Sequence, residues 1–179
     1  MKYIVLLRGI NISGKNKISM AELKSELDKN YQNVLTYLNS GNVILNSDED
    51  KEYIMNDIYS VIKNRFNLDI PIFVITSSEL EDVLKNSPKW WETSNKETYD
   101  NLIFIMPPTK YEEVYNVIGE PKTDIEQIME YNNSIFWTFD LKNYRKSIWW
   151  VKTASTNIKD KITIRTANTM KKILELCAK

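Results

Sequence analysis

The sequence YIVLL at residues 3–7 is followed by RGINISGKNKI at 8–18 and SMAELKSELDK at 19–29. The first run is apolar and β-branched, which predicts a buried central strand. The second contains two of the chain's four glycines and predicts a loop. In the third, Ser19 and Glu22 have the spacing of a capping box, and the apolar residues recur at helical spacing, so a helix is expected there.

The residues that follow complete one supersecondary unit. Strands are expected at 34–38 and 43–45, joined by the turn NSGN at 39–42, because Gly supplies the positive φ that such a turn needs. A helix is expected from about 50 to 66 and a strand at 70–75. The order is β-α-β-β-α-β, which is the ferredoxin-like split motif.

The same order of elements recurs near the C-terminus. Residues 77–98 are interpreted as a connector with a short helix and an exposed Trp90-Trp91 pair. The fold class predicted is α+β, with two ferredoxin-like βαββαβ halves in tandem at 1–76 and 99–179, the second with an extra C-terminal helix. The elements expected after the connector are a strand at 101–106, a helix capped by Thr109 and Glu112 and ending at Gly119, a hairpin across Asn132-Asn133, a helix at 144–151, a strand at 161–164 and a last helix from about 167.

Composition excludes several classes of function. The chain has 179 residues, no histidine and one cysteine, Cys177. Catalysis by Ser-His-Asp or Cys-His groups is excluded, as is a zinc site built on His or Cys, and neither a metal nor a cofactor is expected. A single cysteine cannot form an internal disulfide, and no apolar run is long enough for a membrane span. We therefore expect a cytoplasmic protein with no membrane partner.

Charge is distributed unevenly along the chain. Lys and Arg number 24 and so do Asp and Glu, yet residues 1–21 carry +4, residues 22–140 carry −12 and residues 141–179 carry +8. One interpretation is drift in surface charge. The other is that both basic ends converge on an anionic ligand.

The loop after the first strand resembles a phosphate-binding loop without being one. Residues 9–16 have the pattern G-x-x-x-x-G-K-N, which differs from the phosphate-binding loop only at its last position. Asn16 lacks the hydroxyl that would bind magnesium, and the predicted helix begins at Ser19 rather than at the Gly-Lys pair. Nucleotide hydrolysis is therefore not expected, although such a loop can still bind an anion.

The candidate ligand-binding site combines this loop, the hairpin turn and the basic tail. Arg8, Lys15 and Arg165 would supply charge, while amides and hydroxyls would orient the ligand, a phosphorylated small molecule or a nucleotide. The alternative is that the glycines only shape turns and that Thr166 simply caps the last helix. The candidate residues are Arg8, Asn11, Gly14, Lys15, Asn16, Asn39, Ser40, Asn42 and Arg165.

Other functions stay open at this stage. Ferredoxin-like sheets can present aromatic residues to RNA or DNA, but the third strand has no aromatic residue to form such a platform. A histidine-independent transferase or hydrolase is a further alternative, for which the sequence identifies no catalytic residue. The Trp90-Trp91 and Trp149-Trp150 pairs fit core packing, base stacking or a protein interface.

Particular motifs also resemble a known family. LLRGIN at 6–11, GKN at 14–16, MAEL at 20–23 and SGNV at 40–43 resemble the bacterial domain of unknown function 1697 family. The likeness is close over about the first 45 residues and thinner towards the C-terminus, where only part of that family's tail motif is matched, by Arg165, Asn168 and Thr169. The resemblance implies two ferredoxin-like halves and implies no activity.

Overall fold

The computed structural model describes residues 1–92 and 95–179. Thr93 and Ser94, which fall in the predicted connector, lie outside the described residues. The strands are β1 (Lys2–Leu7), β2 (Gln32–Tyr37), β3 (Asn42–Asn46), β4 (Ile72–Thr76), β5 (Thr98–Ile105), β6 (Glu126–Tyr131), β7 (Ser134–Asp140) and β8 (Ile162–Thr166). The α-helices are α1 (Met20–Leu27), α2 (Lys51–Phe66), α3 (Ser77–Lys85), α4 (Tyr111–Ile118), α5 (Ile148–Ser155) and α6 (Ala167–Cys177).

The chain divides into two compact units. The first unit comprises Met1–Glu81 together with Ile173–Lys179, and the second comprises Asp82–Lys172. The division expected from the sequence, with boundaries at 76 and 98 and the whole C-terminus in the second half, stays a prediction.

An antiparallel sheet forms the centre of the first unit, with the strand order β2-β3-β1-β4. Tyr3 of β1 is paired with Leu45 on one side and Thr76 on the other. Tyr3, Val5 and Leu7 on one face of β1 and Ile4 and Leu6 on the other are all at most 2% exposed, which is why an uninterrupted apolar run suits β1. The predicted central strand is confirmed.

Helices α1 and α2 cover one face of this sheet. Their buried side chains follow the helical spacing seen in the sequence, and Val61 of α2 is partly buried against the same core. The opposite face of the sheet is buried as well. Ile4, Leu6 and Ile44 alternate along their strands with the residues that face the helices, and each is at most 3% exposed. The buried residues of the two helices are Met20, Leu23, Leu27, Ile54, Ile58 and Ile62.

The second unit repeats the same topology. Its sheet has the order β6-β7-β5-β8, so each strand occupies the position of its counterpart in the first sheet. The predicted α+β class and the two ferredoxin-like halves with a C-terminal helix are therefore confirmed. In the part of the chain that the structure describes, no helix is both long and apolar enough to cross a membrane.

The helix expected at 144–151 is divided in two, so that prediction is wrong in detail. A 3₁₀ helix, Leu141–Lys146, is followed by α5, and Ser147 between them has an extended backbone with φ −65° and ψ 127°. The Ser147 hydroxyl accepts a hydrogen bond from Trp150 N at 2.9 Å. Ser147 therefore ends one helix and caps the next.

The start of α4 is displaced by one residue from the predicted capping box. Lys110, not Thr109, is the N-cap, and its amide donates to Glu113 Oε1 at 3.2 Å. Asn133 supplies the other contact, since its Oδ1 accepts from Tyr111 N at 3.1 Å. The cap therefore comes from a neighbouring hairpin, and spacing within the helix sequence could not reveal it.

Trp91 was expected to be exposed, and this is wrong. Its side chain is 4% exposed and packs edge-on against Phe136, with ring centroids 4.9 Å apart. Its indole N–H donates to Asn101 O at 2.8 Å. Trp91 is therefore a core residue of the second unit.

Candidate functional site

The loop between β1 and α1 forms a small exposed hairpin. Ile12 and Lys15 form an isolated β-bridge, and Lys15 N donates to Ile12 O at 2.9 Å. Ser13 and Gly14 form its tip with φ of 49° and 78°. Two successive left-handed residues suit a tight two-residue turn, so Gly14 shapes this hairpin.

Asn11 ties the loop to its surroundings. Its Nδ2 donates to Ile18 O at 3.0 Å and to Asn39 O at 2.9 Å, while its Oδ1 accepts from Ile18 N at 3.0 Å. Asn16 acts similarly, because its Nδ2 donates to Gly9 O at 2.9 Å. Both amides thus form the frame of the loop, and they hold its shape rather than point away from it.

The turn at 39–42 lies directly against this loop. Asn39 and Ser40 are exposed, whereas Asn42 has no exposed surface and donates to Tyr37 O at 2.8 Å and to Ser40 Oγ at 3.1 Å. Asn42 therefore braces the turn from inside. The sequence suggested a projecting amide, and burial of this side chain gives it a structural role instead.

Gly41 allows the close contact between the two loops. Its amide oxygen accepts from Leu7 N at 2.8 Å, and its φ is 82°. A Cβ at this position would lie 2.7 Å from Leu7 Cβ and 2.8 Å from Ile10 Cδ1. Only glycine, whose side chain is a hydrogen atom, lets the turn approach the loop this closely.

The joined loops carry an excess of positive charge. Lys15 and Lys17 are exposed and Arg8 is half-buried, while residues 1–21 contain no Asp or Glu. Ser40 adds an exposed hydroxyl on the neighbouring turn. Together these groups offer cations and a hydrogen-bonding group of the kind an anionic ligand requires.

The N-terminus of α1 is already occupied by its own residues. Ser19 Oγ accepts from Glu22 N at 3.3 Å, which is one half of the predicted capping box. Glu22 adds a negative charge to the first turn. An anion is therefore not expected at this helix end. In a phosphate-binding loop the helix follows the Gly-Lys pair at once, and the later start of α1 confirms that this loop is different.

Arg165 belongs to the second unit, on β8. It is 9% exposed, and its Nη1 donates to Thr163 Oγ1 at 3.0 Å. Thr166 caps α6 as expected, since its hydroxyl accepts from Thr169 N at 3.2 Å. Thr166 and Asn168 line a cavity of about 290 Å³ in this unit. The predicted meeting of Arg165 with the first loop stays a prediction.

A buried carboxylate that the sequence did not reveal organises the second unit. Glu126 is 1% exposed and accepts from the Ser147 hydroxyl, from Ile148 N at 2.8 Å and from Trp137 Nε1 at 3.3 Å. It therefore anchors the N-terminus of α5, where the helix dipole favours a negative charge. The available signal was alternation along β6, which places Glu126 on the same face as Ile128, a partly buried residue that packs against the core.

No metal centre is evident among the residues described: no group of three or more Cys, Asp and Glu side chains is arranged to hold an ion. The Glu126–Ser147 pair is enclosed and forms part of a helix cap. The chemistry that the exposed loops of the first unit can support is binding of an anion.

The fold and these loop motifs identify the chain with a family. It belongs to the family described as protein of unknown function DUF1697, whose sequence model matches residues 1–136. The resemblance drawn from the opening motifs is thereby confirmed.

A solved structure is similar over almost the whole chain. It is described as that of the conserved bacterial protein SP0830 from Streptococcus pneumoniae, with 26% sequence identity, a TM-score of 0.85, 98% of this chain covered and 97% of that one. None of the curated proteins compared matches the chain.

Proposed function

We propose that the protein binds a phosphorylated or nucleotide-like small molecule at the surface where the first loop meets the hairpin turn. The observation that carries the proposal is the link between these two segments through Asn11, whose Nδ2 bonds both Ile18 O and Asn39 O. A braced loop loses little conformational entropy when it binds a ligand, which favours affinity.

The roles within this site differ from residue to residue. Lys15, with Lys17 beside it, would contact the anion, since exposed ammonium groups bind phosphate oxygens. Ser40 would donate its hydroxyl, and Arg8 would add charge at the base of the loop. Asn11 and Asn42 would act indirectly by holding the two segments in place. Arg165 and a cytoplasmic location stay separate predictions.

A thermal-shift panel of nucleotides, sugar phosphates and polyphosphate at fixed low salt tests this proposal. A ligand at 100 times its Kd stabilises a protein by about 2.7 kcal/mol, which corresponds to a rise in Tm of roughly 5–10 °C for a chain of this length. We expect at least one phosphorylated compound to give a shift of this size.

Variants then locate the site. Lys15→Ala should reduce the shift at a given ligand concentration, and Lys15→Ala with Lys17→Ala should abolish it. Lys89→Ala is the matched control, because Lys89 is an exposed lysine outside the loop. A flat panel, or a shift that survives the double substitution, would refute the proposal.

A further inference from the structure

An aromatic surface is exposed on the second unit beside α5. It consists of Tyr99, Tyr144 and Trp150, arranged around the buried ring of Phe139. The centroid of Phe139 lies 5.3 Å from that of Trp150 and 5.5 Å from that of Tyr99, and Tyr144 meets Trp150 edge-on at 5.2 Å. Trp150 is 41% exposed and Tyr99 is 39% exposed, so two large aromatic side chains meet solvent.

The chain segment that carries Tyr144 and Trp150 has an excess of positive charge. Residues 140–160 contain five Lys or Arg and two acids, Asp140 and Asp160. Lys142 is paired with Glu97 at 2.8 Å, whereas Arg145 and Lys146 are exposed and have no ion pair among the described residues. The Arg145 guanidinium carbon lies 5.5 Å from the centroid of the Tyr144 ring, and its Nε donates to the Tyr144 hydroxyl at 3.0 Å. Arg145 is thus a cation beside the rings, and Lys146 is the next exposed cation along the chain.

We propose that this surface binds single-stranded nucleic acid. Unpaired bases present flat π faces that stack on exposed aromatic rings, and each base is joined to a phosphate that Arg or Lys can bind. Trp150 and Tyr99 would stack bases, while Arg145 and Lys146 would contact the phosphates. A protein partner matches this combination less well, because exposed rings with a neighbouring cation complement a strand in which each base is joined to a phosphate.

The open sheet face that ferredoxin-like proteins use for RNA is not accessible in the second unit. On the face opposite α5, Leu102, Phe104 and Phe136 have no exposed surface. Bases cannot stack on rings that solvent does not reach. A nucleic acid on this unit must therefore use another surface, and α5 with the preceding 3₁₀ helix supplies the exposed rings.

Fluorescence anisotropy with fluorescein-labelled 12-nucleotide oligo(U) and oligo(dT), at 50 and 200 mM salt, tests the proposal. Wild-type protein should bind at low salt and lose affinity as salt rises. Trp150→Leu should weaken binding by about 5- to 150-fold, the effect of losing one stacked base, while Trp150→Phe should retain most of the affinity. Arg145→Ala with Lys146→Ala should reduce the slope of log K against log salt by about 1.4.

Matched controls separate this surface from general effects. Trp90→Leu removes a partly exposed tryptophan next to Trp91, and Lys110→Ala with Lys122→Ala removes two exposed cations of the same unit. These variants should bind the oligonucleotides like wild type. Circular dichroism verifies that each variant is folded.

Three outcomes would overturn the proposal. The first is no binding by wild type at 50 mM salt. The second is loss of affinity in the control variants equal to that in the surface variants. The third is self-association that sedimentation shows to depend on Trp150, which would make this surface a protein interface. Trp150→Leu should leave the thermal shift with small phosphorylated ligands unchanged, so this proposal and the small-ligand site fail independently.

Discussion

At the scale of single residues, the buried side chain of Glu126 links several elements of the second unit, and no local sequence pattern indicates this role. A carboxylate at 1% exposure is costly unless its oxygens are hydrogen-bonded. Here the donors come from the start of α5, from Lys122 N at 3.1 Å and from Trp137 Nε1 at 3.3 Å. One side chain thereby joins a strand, a loop and a helix.

Replacing Glu126 should therefore destabilise the protein strongly. Glu126→Ala leaves several buried donors without an acceptor, and we expect the free energy of unfolding to fall by about 3 kcal/mol or more. Glu126→Gln keeps one oxygen but turns an NH₂ group towards other donors, so a loss of about 2 kcal/mol is expected. Urea denaturation measures both, with the exposed Glu112→Gln as control. A near-neutral effect for Glu126→Ala would contradict this assignment.

Gly41 and Gly14 provide a matched pair for testing backbone strain. Both have positive φ, 82° and 78°, but a Cβ at Gly41 meets Leu7 and Ile10 whereas a Cβ at Gly14 meets nothing within 4 Å. Gly14→Ala should cost about 1 kcal/mol from the left-handed backbone alone. Gly41→Ala should cost about 3 kcal/mol, because the two loops must also separate. Equal urea midpoints for the two variants would show that the close approach does not matter.

At the scale of elements, α3 shows how a cap links a helix to a strand. The amide of Thr76, the last residue of β4, donates to Glu79 Oε2 at 2.9 Å, and Glu79 N donates to Thr76 Oγ1 at 3.1 Å. Lys51 on α2 adds an ion pair to Glu79 at 2.6 Å. This reciprocal capping box begins α3 at Ser77, within the segment where the sequence predicted a short helix.

The Glu79 cap should make stability depend on pH in acid solution. Partial burial raises the pKa of Glu79, but hydrogen bonds from Lys51 and Thr76 outweigh it, and the net pKa lies below the ordinary value of 4.5. A lowered pKa in the folded state stabilises the protein above pH 4.5, and this stabilisation disappears as the pH falls through the lower folded value. Glu79→Gln should therefore destabilise the protein at pH 7, by less than about 1 kcal/mol for so exposed a pair.

Urea unfolding at a series of pH values checks this prediction. The stability difference between wild type and Glu79→Gln should be largest at pH 7 and should vanish in strong acid, where the glutamate is protonated. Glu52→Gln, an exposed glutamate on α2, is the control. A difference that does not change with pH would show that the charge of Glu79 has no role.

At the scale of the whole molecule, the two ends of the chain belong to the same unit. Ile173–Lys179 is grouped with Met1–Glu81, and the Lys2 ammonium donates to the Cys177 carbonyl. Ile173 has no exposed surface, and Cys177 is 9% exposed. The last turns of α6 are therefore part of the structure of the first unit.

Cys177 offers a probe of this arrangement. Burial raises the pKa of its thiol, with Lys2 opposing the shift, so the thiolate fraction at pH 8 is below that of a free cysteine. We expect slow reaction with a thiol reagent in the native protein and fast reaction in urea. Ile173→Ala should cost about 2–4 kcal/mol and accelerate the native reaction, whereas Lys179→Ala should change neither. Fast labelling of the native wild-type protein would contradict this prediction, because it would show that the Cys177 thiol at the end of α6 is accessible to solvent.

Local patterns predicted the elements of this fold well because local physics produces them. The apolar run of β1, the Ser19 cap and the helical spacing of Leu23 and Leu27 appear in the structure where the sequence indicates them. Predictions failed where the partner is distant in sequence. Asn133 caps α4 from a hairpin 22 residues away. Glu126, on the edge strand β6, accepts hydrogen bonds from Ser147 and Ile148, where the helix expected at 144–151 is interrupted.

The candidate site, too, was only partly predictable from local sequence patterns. The sequence identified the loop and the turn at 39–42, and the structure joins them through Asn11 and Gly41. It could not separate framework from contact residues, since Asn42 and Ser40 look alike in sequence but one is buried and the other exposed. Burial depends on what packs against a side chain, and spacing along the chain does not record it.

The sequence by itself determined the order of strands and helices, the family and the uneven charge, because period, capping and composition are properties of neighbouring residues. Tertiary structure alone decided which polar groups are used internally and which face solvent. The side chains of Asn11 and Glu126 form internal hydrogen bonds, and that of Trp91 packs in the core. These roles depend on hydrogen bonding and desolvation by atoms brought together from distant parts of the chain. Lys15 and Trp150 face solvent for the same reason, and their positions define the two surfaces proposed for binding.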